Sequence, residues 1–485
     1  MPGSCTTICH DVVGNGELKL DVKLNEPILV YPAEPTEKQV HFLSNLDQNL
    51  AVTVSTVYFF NSRKDKKNHD PVSVIKDSLR KLLVLYYPMA GRLSLSEDFK
   101  FQVQCEDQGV LFVEATADCF IADLGELYRP APFMTQLVYN NPPMTAMNIL
   151  DSPLMCVQVT KFKCGGFVLG LSISHCMADA YVASELVLAW GELARGPVDN
   201  ISHLVPHLDR TILKSRTPPR IEFPHVEFDD VDEVCSPRTM TNHDQSSKPI
   251  CSSFIFSPQQ VETVRRRILD DGLVTKVTTF EALTALSWRA RTQAVEMHPK
   301  QVARLVFAMN IRKKLDPPLP TRFMGNGVFF GNATATAAEL THNPLSHTVK
   351  LVQEAKALVT DQYIRSAIDY FEVTRARPKW VATLHIASWV GIPLEKVDFG
   401  WGQPVCMVPT NMMDDDAFIA PCGKDMKSFQ FFIGLPSSRA VEIFRQCLSS
   451  CTTMTYTSSS SSSTKNSDQS CLLQEQKHMV LVENC

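Results

Sequence analysis

The amino-acid sequence predicts an α/β protein of two domains, and three observations carry that reading. At 485 residues the chain exceeds what one ordinary core supports and suits two units of roughly 200 residues with a cleft between them. In both halves, β-branched and aromatic runs alternate with runs whose apolar residues recur at helical spacing. Between about Pro206 and Pro249 the composition turns to proline and acid, as in RTPPRIEFPHVEFDDVDEV. Its lack of periodicity marks a long exposed linker and the domain boundary.

In order along the chain, TVSTVYFF from Thr53 reads as a strand, and PVSVIKDSLRKLLVLYYP as a helix opened by Pro71 and stopped by Pro88. FKFQVQCE and GVLFVEATA follow as strands of a mixed sheet. PLMCVQVTKF and GFVLGLSISH are strand-like runs joined by Lys163, Cys164, Gly165 and Gly166, a hairpin signal that places His175 at a strand's end. From Asp179, DAYVASELVLAWGELARG has helical spacing and closes on Arg195 and Gly196. In the second half CSSFIFS is a strand, and SPQQVETVRRRIL and TTFEALTALSWRARTQAV are amphipathic helices with Ser257 and Thr279 as N-caps. The serine run from Ser458 to Ser463 belongs to a low-complexity tail that buries too little to fold.

The bulk numbers exclude several classes. With 44% hydrophobic and 20% charged residues the composition is globular, and a net charge of -5 provides no field to hold nucleic acid or an anionic membrane. The N-terminus has no basic segment followed by an apolar one, and the longest apolar stretch, around LLVLYYPMAG, falls short of the ~18 to 20 residues of a membrane span. The expectation is a cytoplasmic protein without a membrane span. Fifteen cysteines, an odd number without a CxxC pair, fit reduced thiols.

Two patterns carry chemistry. His175 and Asp179 form His-x-x-x-Asp at the end of a rigid strand, where an imidazole of pKa near ~6.5 can take a proton from a hydroxyl and return it to a leaving thiolate. Asp179 either fixes that imidazole or caps the following helix, and the sequence does not choose. A second match, His225 and Asp229, lies in the linker and is set aside. VDFGWGQP, from Val397 to Pro404, alternates glycines with bulky aromatics and implies a special backbone path, with Asp398 in an ion pair and Phe399 and Trp401 packed beneath. There is no GxSxG elbow, phosphate loop, HExxH helix or dinucleotide GxGxxG, and Pro206 breaks the zinc-like interval between His203 and His207. No metal site is expected.

His175-Cys-Met-Ala-Asp179 and Asp398-Phe-Gly-Trp-Gly402 together resemble the motifs of the plant BAHD acyl-CoA-dependent acyltransferases. The resemblance covers residues 20 to 448 and includes YYPMAGRL, QVTKFKCGGFVLG, TTFEALTALSWRART, FAMNIRKKLDPPLP and SAIDYFEVTRARP. Within the family the chain looks most like the branch that moves hydroxycinnamoyl groups from CoA onto ω-hydroxy fatty acids and fatty alcohols for suberin and cutin.

The resemblance implies a two-domain, chloramphenicol-acetyltransferase-like α/β fold. Each domain would be a mixed sheet flanked by helices, with a channel at the interface and His175 midway along it. Residues 1–205 would form the first domain, 206–248 a crossover linker, 249–450 the second domain and 451–485 the tail, with part of 355–405 packing against the first domain. His175 would be the base, Asp179 a structural acid turned away from the channel, Asp398 structural, and Trp401 a support for the oxyanion. No cofactor would be bound permanently, acyl-CoA would be the co-substrate, and the enzyme would act as a monomer.

Further site residues are carried over in the same way. Ala387 and Trp389 fall where relatives line the acceptor pocket, and a small alanine beside a tryptophan suits an apolar chain. Arg312, Lys313 and Lys314, beside Thr279, are candidates for the CoA phosphates, although loop lysines are also often merely solvated. Asp414, Asp415 and Asp416 would suit an amine acceptor if their loop folded inward, and otherwise form a solvated loop. The chain departs from the family at Ala180, where glycine is usual, and at Phe323-Met324-Gly325-Asn326, where relatives read Tyr-Phe-Gly-Asn. Asn310-Ile311-Arg312 replaces Asp-x-Arg, which puts an ion pair near the CoA side in question. The alternatives are another acceptor, such as shikimate, quinate, a polyamine or a different alcohol, and a non-catalytic acyl-CoA binder.

Overall fold

The computed structural model describes residues 20–66, 69–128, 131–139, 149–229, 249–376, 382–410, 416–423 and 426–452. The linker from 230 to 248, Asp414, Asp415 and the tail from 453 lie outside the described residues.

The first half runs β1 (Val22–Leu24), β2 (Ile28–Val30), β3 (Gln39–Phe42), α1 (Asn45–Gln48), β4 (Thr53–Phe60), α2 (Pro71–Leu85), β5 (Arg92–Leu95), β6 (Phe101–Cys105), β7 (Val110–Ala117), β8 (Met155–Phe162), β9 (Phe167–Ser174) and α3 (Ala180–Ala194). The second runs β10 (Ile250–Phe256), α4 (Pro258–Asp270), α5 (Thr279–Ala294), β11 (Val302–Asn310), β12 (Val328–Thr336), α6 (Ala337–His342), α7 (Leu345–Leu358), α8 (Asp361–Thr374), β13 (Thr383–Ser388), β14 (Cys406–Pro409), β15 (Asp416–Cys422), β16 (Ser428–Leu435) and α9 (Ser438–Thr452).

Local chemistry sets the helix ends. Pro71 starts α2 behind Asp70, whose carboxylate accepts the Ser73 N–H, and the helix gives way at Tyr86 to a tighter turn before Pro88 is reached. Ser257 caps α4 as expected. The cap of α5 is Thr278, one residue before the expected Thr279. The Thr278 hydroxyl accepts the N–H of Glu281 while the Glu281 carboxylate accepts that of Thr278, and only a cap three residues before a glutamate closes this reciprocal pair.

Each half carries a mixed sheet flanked by helices, as expected. One has the order β1-β7-β8-β9-β4-β14, with β7 and β8 parallel; the other has the order β10-β16-β15-β13-β11-β12, with β13 parallel to both neighbours. A small sheet, β3-β6-β5, stands apart. The expected hairpin is β8–β9, and all eight residues of β9 are buried.

The chain crosses between the halves three times: into β10, back from β13 to β14, and on again from β14 to β15. After β13, Trp389, Leu394, Val397, Phe399 and Trp401 join the core of the first half, and β14 adds an edge strand to β4, with Cys406 opposite Phe59 and Pro409 opposite Thr56. The described stretch 206–229 is largely exposed, as expected, with 217–222 exposed throughout, but it is anchored at a few buried residues. Arg210 is 1% exposed and His225 4%. His225 bonds Glu227 at 2.9 Å and the Ser366 hydroxyl at 2.9 Å, and Arg216 pairs with Asp369 at 2.6 Å. Proline denies this stretch regular structure, so its polar groups find partners on α8 instead.

Candidate active site

The apolar, β-branched run FVLGLSIS forms β9 and delivers the chain to His175, whose N–H donates to Val52 O at 2.8 Å. A tight turn follows, closed by the Met177 N–H to Ser174 O at 2.9 Å. It ends at Asp179, the N-cap of α3, whose Oδ1 accepts the Val182 N–H at 3.0 Å. The imidazole is therefore held between the end of an interior strand and a capped helix, at the seam with the second half.

From that half, Asn326 reaches across, placing its Oδ1 3.1 Å from His175 Nδ1. Its side-chain nitrogen donates to Asp47 Oδ1 at 2.8 Å and to the His175 carbonyl at 2.8 Å, so its oxygen faces the ring as an acceptor. Nδ1 must then carry the hydrogen, and Nε2 presents a lone pair. Asp47 is anchored in turn by Arg210 at 3.1 Å, both side chains being fully buried, and Arg210 also donates to the Cys176 and Met177 carbonyls. Burial pulls the His175 pKa below its ordinary 6.5; hydrogen bonding and Asp179 oppose this, and His385 reinforces it. A neutral imidazole is what a general base needs.

Asp179 does not touch that ring. Besides capping α3, it forms a bidentate pair with Arg312 at 2.9 and 3.1 Å and accepts the Gly327 N–H at 3.0 Å. Of the two readings open in the sequence, the cap holds. The ion pair put in question by Asn310 is present, with Asp179 as its acid, while Asn310 Oδ1 accepts the Arg312 N–H at 3.0 Å. Arg312 also stacks on Tyr181, 4.7 Å from the ring centre. It is thus engaged in the scaffold, which corrects its assignment to the CoA phosphates. Gly327 is required here, because a Cβ would stand 2.6 Å from the Arg312 guanidinium. Ala180 simply opens α3.

Lys313 is exposed, Lys314 donates to Val359 O at 2.9 Å, and Thr279 is half-buried at the start of α5. Ala387 pairs with Phe418 across the strands, and the Trp389 ring lies 5.1 Å from that of Phe418. Two residues before Ala387 on the same strand face is His385, which bonds Asp416 at 3.2 Å. Asp416 therefore starts a strand and holds a histidine, rather than sitting in a solvated loop.

The Asp398–Gly402 loop sits elsewhere. Asp398 Oδ1 accepts the N–H groups of Gly400 and Gly402 at 2.7 and 2.8 Å, and both glycines have left-handed φ, 102° and 88°. Phe399 packs edge-on against Phe60 and Trp190, and Trp401 against Phe167 at 5.4 Å. Phe167 begins β9 and His175 follows its last residue, a separation of about 26 Å along the strand at ~3.3 Å per residue. The expected oxyanion support by Trp401 is therefore corrected: its indole packs at the far end of the strand.

Sequence reasoning missed Asp47, Arg210, His385 and the orienting role of Asn326. Ser44-x-x-Asp47 is a capping-box spacing that signals a helix start, but nothing in it points to His175. Among the described residues no three His, Cys, Asp or Glu side chains are grouped to hold a metal, and no helix is long and apolar enough to cross a membrane.

Comparison with known proteins follows the same lines. A family model described as the Transferase family matches residues 20–448. The fatty alcohol:caffeoyl-CoA acyltransferase of Arabidopsis thaliana is 44% identical over 432 residues, 88% of this chain and 98% of that protein. The omega-hydroxypalmitate O-feruloyl transferase of Arabidopsis thaliana is 41% identical over 435 residues, 88% of this chain and 93% of that protein. Among solved structures, vinorine synthase superposes with a TM-score of 0.70 at 20% identity, over 89% of this chain and 98% of that one, a likeness of fold.

Proposed function

Because this chain belongs to the BAHD family of transferases, and is an acyl-CoA-dependent O-acyltransferase, we propose that it moves a hydroxycinnamoyl group from CoA to the terminal hydroxyl of an ω-hydroxy fatty acid or fatty alcohol. The two relatives act on acceptors of this kind by their names. One observation carries the mechanism: Asn326 fixes His175 as the Nδ1–H tautomer at the seam between the halves.

His175 Nε2 takes the proton of the acceptor hydroxyl as its oxygen attacks the thioester carbonyl. The tetrahedral intermediate collapses, the C–S bond breaks, and the departing sulfur takes the proton back from the imidazolium. Ester and free CoA leave with His175 restored, so no acyl-enzyme forms. Asp47 and Arg210 hold Asn326, while Asp179 and Arg312 hold the adjoining Gly327; these residues position the base without touching substrate. Ala387 and Trp389 line the acceptor side, and Thr279, Lys313 and Lys314 meet the CoA phosphates. The enzyme works as a monomer in the cytoplasm, with substrates meeting in a channel between the domains.

The test is release of free thiol from feruloyl- or caffeoyl-CoA mixed with a C16 ω-hydroxy acid or alcohol. His175→Ala should cut the rate by ~10² to 10⁴ with the fold intact. Wild-type turnover in that variant, or no thiol release across a panel of thioesters and alcohols, overturns the reading.

A further inference from the structure

Alternation along the second sheet separates two faces. Leu384 and Ile386 of β13, with Ala417 and Ile419 of β15, join the core built with α4, α5, α7 and α9. The residues between them, His385, Ala387, Asp416 and Phe418, are half-buried and lie on the opposite face. That face meets the first half, because Phe418 and Ala420 pack against its core. His385 and Asp416 are partners in the parallel register, and His385 Nδ1 donates to Asp416 Oδ1 at 3.2 Å. Phe330 of β12 stands edge-on to this imidazole at 5.4 Å. An otherwise apolar wall of the seam thus carries a histidine–carboxylate pair whose side chains, 20% and 27% exposed, remain open to solvent and its protons.

Two imidazoles therefore stand at the seam in different company. His175 is held by the amide of Asn326, and the acids on its side are engaged elsewhere: Asp179 with Arg312, and Asp47 with Arg210 and Asn326. His385 has a carboxylate of its own on the neighbouring strand. A proton reaching the seam gains an ion-pair partner at His385 and only an amide at His175. Once there, its charge opposes a second positive charge on His175, since like charges in a partly desolvated space disfavour each other. Burial is the main cause that lowers the His175 pKa, and the charge of His385 acts in the same direction, against Asp179 and the hydrogen bonds.

We propose that His385 is a positioning residue for the reaction: charged and held by Asp416, it keeps the His175 imidazole free of a proton and ready to take one from the acceptor hydroxyl. The inference rests on the acyl-transfer reading and deepens it. The base then stays competent to lower pH than an imidazole facing an uncharged wall.

NMR titration of the His175 ring in the full chain, its signal identified by loss in His175→Gln, tests this without turnover. Thiol-release kinetics across pH tests it with turnover. His385→Gln keeps a donor for Asp416 but not the charge, and should raise both the His175 midpoint and the acid limb of kcat/KM by about half a pH unit. His385→Lys restores the charge and should return both to the wild-type position. A side chain that served packing alone would not be rescued by charge. A midpoint unmoved in His385→Gln, or moved as far in His385→Lys, overturns the proposal. If thiol release persists beside an unmoved midpoint, only the role of His385 falls; if no thioester gives thiol at any pH, the acyl-transfer reading falls instead.

Discussion

At the scale of single residues, the base is prepared by an amide rather than by the acid of its own motif. Asn326 has two donors committed to Asp47 and the His175 carbonyl, so its oxygen can only receive the Nδ1 hydrogen. Asn326→Ala should therefore lower kcat/KM by about 10²-fold through loss of ring orientation. It should also move the acid limb of the pH–rate profile further down, because the bond to Asn326 raises the His175 pKa. Thiol-release kinetics across pH checks both, and an unchanged profile refutes the role. His175 itself was legible in the sequence, since an apolar strand and a helix-capping aspartate are contiguous with it. The Asn326–Asp47 bond was not, because it joins positions 279 residues apart. Arg312 was misassigned for the same reason: a loop cation looks available until its acid, 133 residues away, is seen against it.

At the scale of elements, periodicity located the strands and helices well, including β4, β8, β9, α3 and α4, because each buries one face or both in a continuous core. It does not report polar contacts, as in the aperiodic and largely exposed stretch 206–229, which leans on α8 through His225, Arg216 and Asp369. Contacts between α3 and the Asp398 loop were equally hidden. A Cβ on Gly191 would stand 2.7 Å from the Asp398 carbonyl oxygen. In an exposed helix, glycine to alanine gains about 1 kcal/mol. Gly191→Ala should instead destabilise by about 1–3 kcal/mol, because helix and loop must move apart. Urea denaturation checks the sign, and a stabilised variant would refute the close approach.

For the whole molecule, two buried histidines tie stability to pH. Burial, aided by Arg210, holds the His41 pKa down to about 3, and burial also depresses that of His175. In the unfolded chain both return to an ordinary 6.5, so below that pH the unfolded state binds more protons and stability falls as pH drops. Between pH 6.5 and 5, above the ordinary carboxylate range, His41 should cost up to about 1.4 kcal/mol per pH unit, and His175 acts in the same direction. Denaturation midpoints across that window should decline, and His41→Leu should flatten the decline; a slope untouched by the substitution refutes the assignment. The return of β14 to the first sheet has another effect. A ribosome that has completed the first 400 residues has not yet made the strand that covers β4, so the nascent first sheet waits with one border open. Its closure, and with it the rigid platform beneath the imidazole, is deferred to the last stage of synthesis, and the first half cut away at the linker would lack its border strand.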